Sequence, residues 1–179
     1  AVAGQGGTCR ITTTEACTLD GLPRDVSTLI YPGRKTRCIF SDSIDYGFQV
    51  IPGASDKLMI FFQGGGACFN DVSTRQAASA PCLSHVVIQP LFGIFDREKP
   101  SNPFRDYTVV HINYCSGDLH AGNVVRWYLD TAGQRVEQRG YANALSALRW
   151  TRKNLGQLSS LVIAGSSTGA LGAQLWTSA

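Results

Sequence analysis

The chain reads as an α/β protein with a central, mostly parallel sheet and flanking helices. Three observations predict this. Lys57–Phe62, Tyr107–Ile112 and Leu161–Ala164 are predominantly apolar runs without strict alternation, the pattern of strands covered on both faces. Between the second and third runs, Arg139–Leu155 carries Ala144, Leu145, Leu148, Trp150 and Leu155 as an apolar stripe at helical spacing, with Gly156 as a stop. The last run enters Gly165-Ser166-Ser167-Thr168-Gly169 and then the small-residue stretch Ala170-Leu171-Gly172-Ala173, a strand–turn–helix order.

The elements follow along the chain. Residues 1–36 are polar, Gly-rich and Thr-rich, and read as an irregular extension held by disulfides. Residues 37–179 read as part of one domain. Arg37–Phe40 and Gly47–Ile51 are expected as a hairpin at a sheet edge, turning at Ser41-Asp42-Ser43. Lys57–Phe62 is a buried strand that ends in Gln63-Gly64-Gly65-Gly66. Asp71–Ala80 is expected as a short helix stopped by Pro81, and Leu91–Pro103 as a loop broken by Gly93, Pro100 and Pro103. Tyr107–Ile112, the helix Arg139–Leu155 and a third buried strand, Leu161–Ala164, complete the reading. In such sheets ligands bind beyond the carboxyl ends of the strands. The segments 63–68, 113–120 and 165–169 all lie there.

Composition narrows the function classes. With 179 residues, 44% hydrophobic and 16% charged, the chain fits one globular domain with a large buried sheet. A net charge of +3 without a run of basic residues does not point to nucleic acid. No apolar run is long enough to span a bilayer. No signal-peptide pattern opens the chain, and Ala1 suits a processed N-terminus. Six cysteines, none at C-x-x-C spacing, suggest disulfides and an oxidising compartment. Cys9 with Cys17 and Cys68 with Cys82 are the local pairs; buried free thiols are the alternative.

The G-x-S-x-G turn makes Ser167 a candidate nucleophile on a sharp strand-to-helix bend. The glycine run after the first buried strand can aim backbone N–H groups at a developing oxyanion, with Gly65 and Gly66 as donors and the Thr168 amide as the other half. No Gly-Lys-Ser/Thr follows the glycines, which argues against a phosphate loop. Histidine is scarce. His120, two residues after Asp118, is a minor candidate base; His111 and His85 read as structural, Asp118 as a brace of its loop, and Cys115 has no histidine partner in sequence. Phe69, Phe92, Phe95, Trp127 and Tyr128 could line an acyl or sugar pocket, or simply fill core.

The blocks LMIFFQGGGACFN, GIFDREKPSNPFRDYTVVHINYCSGDLHAGN, RGYANALSALRW and VIAGSSTGALGA resemble, in collinear order over roughly residues 37–179, the pectin acetylesterase/Notum family, and more closely its bacterial-type secreted members. The resemblance implies an α/β-hydrolase fold and hydrolysis of carboxylic esters by a Ser-Asp-His triad without cofactor or metal. It maps the nucleophile to Ser167 and the oxyanion donors to Gly65, Gly66 and Thr168. It also implies secretion and a paired Cys68. The segment that bears the family's Asp and His does not lie within these residues. The expected partners are therefore an ester substrate and a second chain, or C-terminal segment, that carries both. The rival reading is a non-catalytic binding protein on a hydrolase scaffold.

Overall fold

The structure is a computed structural model that describes residues 5–33, 35–40, 45–75, 81–129, 133 and 135–178. Its strands are β1 (Gln5–Arg10), β2 (Ser27–Tyr31), β3 (Phe48–Ile51), β4 (Ala54–Phe62), β5 (Tyr107–Ile112), β6 (Val124–Leu129), β7 (Arg135–Gln138) and β8 (Ser160–Gly165). Its helices are α1 (Asp71–Arg75), α2 (Gly140–Asn154) and α3 (Thr168–Thr177). The main sheet runs β1-β2-β3-β5-β4-β8, and β6-β7 form a separate two-stranded ribbon. β4 pairs in parallel with both β5 and β8, β1 pairs in parallel with β2, and only β3 runs against its neighbours. This is the mostly parallel α/β sheet that the apolar runs predict.

The pleat decides what covers each face. Leu58, Ile60, Phe62, Val110 and Ile112 pack with Ala144, Ala147 and Trp150 of α2 and Ala173 of α3. Met59, Phe61 and Val109, one residue out of phase, pack instead with Leu91, Phe95, Phe104 and Val162. Both long helices therefore lie on one face, and the 91–107 loop closes the other around a short turn at Gly93–Phe95. Trp150 is the keystone of the helical side. It meets the Phe48 ring edge-on at 5.8 Å and donates its indole N–H to the Cys17 carbonyl at 2.8 Å.

Several expectations need correction. Residues 1–36 are not uniformly irregular: β1 and β2 extend the main sheet, and the Leu19 amide is held by Asn154 of α2 at 3.0 Å. The signal was Ser27-Thr28-Leu29-Ile30-Tyr31, a β-prone stretch masked by its Gly- and Thr-rich surroundings. The hairpin over 37–51 does not form. β3 lies inside the sheet between β2 and β5, and the proposed turn, Ser41-Asp42-Ser43, lies outside the described residues. Backbone at 37–40 is satisfied elsewhere: Arg37 by the Asn143 side chain, Ile39 by Cys115 O and Glu137 N. The helix expected over Asp71–Ala80 is described only as α1; 76–80 lie outside the described residues. β8 is not a buried strand within this chain. Among the described residues it pairs with β4 alone, and Leu161 is 52% exposed. The β6-β7 ribbon was not anticipated.

Three disulfides pin this frame: Cys9–Cys17, Cys68–Cys82 and Cys38–Cys115. The first two are the local pairs. The third closes a separation of 77 residues and ties the 37–40 segment to the end of β5. Long loops lose most unfolded-state entropy when closed, so the Cys38→Ser/Cys115→Ser double variant is expected to lose about 4 kcal/mol of stability. Urea titration of both proteins under oxidising conditions checks this, with equal midpoints as the failing result.

Candidate active site

The end of β8 is where backbone geometry becomes unusual. Ser167 caps α3 with φ 52° and ψ −127°, a left-handed conformation for a residue with a side chain, and it is exposed. The bend is held by Gly169 N donating to Ser166 O at 2.8 Å, Ala170 N to Ser167 O at 2.9 Å and Ser166 N to Phe62 O at 3.2 Å. Glycine is required on both sides because no Cβ fits: one at Gly165 would strike the Gly169 carbonyl, and one at Gly169 would strike the Phe62 carbonyl. The hydroxyl is thus presented at the surface by a bend that sits directly on the end of β4.

The glycine run lies against that bend. A Cβ at Gly64 would meet the Ser166 carbonyl and come within 2.8 Å of Ser167 Cβ. Gly65 N–H donates to Thr168 Oγ1 at 3.1 Å, which joins the run to the first residue of α3. Gly66, at φ 73°, faces Cys82 as a bridge whose bonds are made by its neighbours: Leu83 N to Gly65 O at 2.8 Å and Ala67 N to Pro81 O at 2.9 Å. In such a pair the central residue turns its own N–H outward. Among the described residues, the Gly66 and Thr168 amides have no hydrogen-bond partner. Ser167 is therefore brought beside Gly64 and Thr168 beside Gly65, while Gly66 follows against Pro81 and Cys82.

The histidines are not brought to Ser167 as bases. His120 is 1% exposed, and its Nε2 donates to the Gln63 carbonyl at 2.8 Å. Burial pushes its pKa down to about 4, so it stays neutral. His111 is fully buried against Phe61 and Phe95, and burial, opposed by its Asn113 contact, holds it down to about 4. His85 is exposed on the 81–90 strap. Asp118 braces its loop: it accepts Ser116 Oγ at 2.6 Å and Gly140 N at 2.8 Å at the start of α2. Burial raises its carboxyl to about 6 against the hydrogen bonds that favour charge. Cys115 is in a disulfide.

Two contributors escaped the sequence reading. Gln63 is clamped at both ends: its side chain accepts Tyr114 N at 2.9 Å and donates to Val87 O at 2.9 Å, while its carbonyl takes His120. The Thr168 hydroxyl, as distinct from its amide, is the link to Gly65. Both lie within or beside the segments that the sequence singles out, but the roles of their side chains carry no signal in the chain. Of the aromatic candidates, Phe95 is core, Phe69, Phe92 and Trp127 are exposed, and the Tyr128 side chain lies outside the described residues. A cavity of about 640 Å³ lies apart from the elbow, lined by Pro32, Thr36, Tyr141, Leu145 and Arg149 among others. Among the described residues, the cluster Cys9, Glu15 and Cys17 has metal-ligand types, but its thiols are joined in a disulfide.

The family model for pectinacetylesterase matches residues 37–179. The chain belongs to the pectinacetylesterase family. Two crystal structures of the Wnt deacylase Notum from Drosophila are similar in fold. Crystal form II superposes with a TM-score of 0.55 at 19% identity, over 79% of this chain and 43% of that one. Crystal form I gives a TM-score of 0.56 at 20% identity, over 79% and 41%. The pectinacetylesterase-family chain thus spans less than half the length of the solved structures it matches. No curated protein matches it. No helix among the described residues is long and apolar enough to cross a membrane.

The buried imidazoles set an acid sensitivity. Their folded pKa values lie below the ordinary 6.5, so their contribution to stability is present above that value and is lost as pH falls through about 4. Asp118 works in the opposite sense, since its contribution is complete below 3.8 and is lost as pH rises through about 6. Two imidazoles outweigh one carboxyl, so the denaturation midpoint is expected to drop between pH 6.5 and 4. Asp118→Asn should steepen that drop; a flat profile for both proteins would contradict the assignment.

Proposed function

We propose that this pectinacetylesterase-family chain is the nucleophile-bearing part of an extracellular serine hydrolase that cleaves carboxylic esters. The observation that carries the reading is the exposed Ser167 on a left-handed bend packed against the Gly64 backbone, at the head of the glycine run. Family membership supports ester hydrolysis at the coarse level. The similar fold of Notum, a Wnt deacylase, is in keeping with acyl cleavage. Three disulfides support an oxidising, extracellular setting.

The chemistry follows from the groups present. Ser167 Oγ attacks the ester carbonyl carbon as its proton passes to a histidine. The carbonyl electron pair moves to oxygen, and that oxyanion is met by the Gly66 and Thr168 amides; Gly65 N–H joins them if the Thr168 hydroxyl turns away. Each donor is worth about 3 kcal/mol of barrier lowering. The returning electron pair expels the alcohol, which takes the histidine's proton, and water then hydrolyses the acyl-serine. The acyl chain and alcohol can come from an acetylated polysaccharide, a lipid, a polyester or an acylated protein.

His120, His111 and Asp118 are committed elsewhere and His85 sits exposed on the 81–90 strap, so we place the histidine and its carboxylate on a further segment or second chain. The open edge of β8 supports a seat for it: among the described residues β8 has one neighbour, and Leu161, Leu171 and Leu175 are each at least half exposed. The 179-residue polypeptide by itself is accordingly expected to leave a fluorophosphonate probe unreacted, whereas the polypeptide joined to that segment labels at Ser167. Labelling of the isolated chain would refute the need for a partner.

In the active protein, Ser167→Ala is expected to abolish turnover of a p-nitrophenyl ester without shifting the thermal midpoint by more than a few degrees. Retained turnover rejects Ser167 as the nucleophile. An active-site probe that never labels, in any form of the protein, favours the rival reading of a binding protein on a hydrolase scaffold.

A further inference from the structure

The peptide before the glycine run is held from behind by a residue that no motif singles out. His120 lies on a left-handed backbone (φ 63°, after Leu119 at φ 60°) and is wedged between β4 and α3. Its ring meets Phe62 at 5.1 Å and Tyr114 at 4.8 Å. A Cβ at Gly172 of α3 would lie 2.7 Å from its Cδ2, and Trp176 Nε1 donates to its carbonyl at 3.0 Å. Its Nε2 is aimed at one acceptor, the Gln63 carbonyl, at 2.8 Å.

The geometry points to His120 as a positioning residue for the oxyanion loop: its Nε2–H fixes the Gln63–Gly64 peptide so that the following amides face the Ser167 side. This rests on the serine-hydrolase reading. A peptide is planar and trans, so directing Gln63 C=O toward His120 directs Gly64 N–H the opposite way. The next amide, Gly65 N–H, is taken by Thr168 Oγ1, and Gly66 N–H follows without a partner among the described residues. A carbonyl can only accept, so the proton sits on Nε2, and burial keeps the imidazole neutral near physiological pH. The same ring touches α3 through Gly172, so one side chain registers the glycine loop and the elbow helix against each other. His120 does not reach the reacting atoms and acts through Gln63.

Two variants separate positioning from filling space. His120→Phe keeps an aromatic ring without the donor; His120→Gln keeps an N–H at comparable reach. Both share the left-handed backbone, so its strain cancels between them. In the active protein, His120→Phe is expected to lower kcat for p-nitrophenyl acetate on the order of 100-fold with KM nearly unchanged. His120→Gln should recover most of that loss. Amide hydrogen exchange over residues 62–69 should quicken about tenfold in His120→Phe and return in His120→Gln, with α2 unaffected. Unchanged exchange of the loop in His120→Phe, or Gln performing no better than Phe, overturns the proposal. Should His120→Phe not fold, selective 15N-histidine spectra of the unaltered protein decide: a slowly exchanging proton on Nε2 supports the proposal, and a proton on Nδ1 overturns it. Exchange and spectra need no turnover, so they judge His120 separately from Ser167→Ala, which judges the hydrolase reading.

Discussion

The arrangement depends on main chain touching main chain at the ends of β4 and β8. Gly169 lies on the Phe62 and Gln63 carbonyls, Gly165 on the Gly169 carbonyl, and Gly64 on the Ser166 carbonyl. At each of these positions a methyl group would overlap backbone, which cannot rotate away as a side chain can. Parallel pairing of β4 with β8 through Phe62 and Gly165 brings both chain ends to the same level, and the absence of side chains lets them close. The strained Ser167 conformation persists because this contact and the bonds around it over-determine the bend.

Among the described residues, the side chains that hold the backbone behind the bend are polar and mostly neutral. Gln63, Asn113, Gln49 and the 87–89 strap form a buried chain of neutral hydrogen bonds, from Ser27 Oγ to Tyr114 N. Both buried histidines are kept neutral by their burial. Neutral networks lose less on desolvation than ion pairs would, and once satisfied they hold one geometry. Asp118 is the exception, and it is spent on the start of α2 and on Ser116, not on the face that Ser167 presents.

Legibility followed locality. β5 was read residue for residue, and α2 within a residue at each end, because continuous burial and an apolar stripe are written into consecutive side chains. The two local disulfides were legible for the same reason. β2 and the β6-β7 ribbon were missed, since short β-prone stretches inside polar or Gly-rich surroundings give weak periodicity. The apolar side chains of β8 predict a buried strand; whether an apolar strand is covered depends on which neighbours are present.

By itself the sequence determined the α/β class, the strand–turn–helix at Ser167 and the glycine run, because each rests on chain-local rules of residue size and backbone freedom. Tertiary structure decided the rest. It placed Gly64 beside Ser167 across the sheet, gave Gly65 N–H to the Thr168 hydroxyl and left Gly66 N–H without a partner among the described residues. It also turned His120 from a candidate base into a buried donor to Gln63. Hydrogen-bond partners more than fifty residues apart leave no periodic trace in the chain. Their pairing is set by strand order and register, which only the folded sheet specifies.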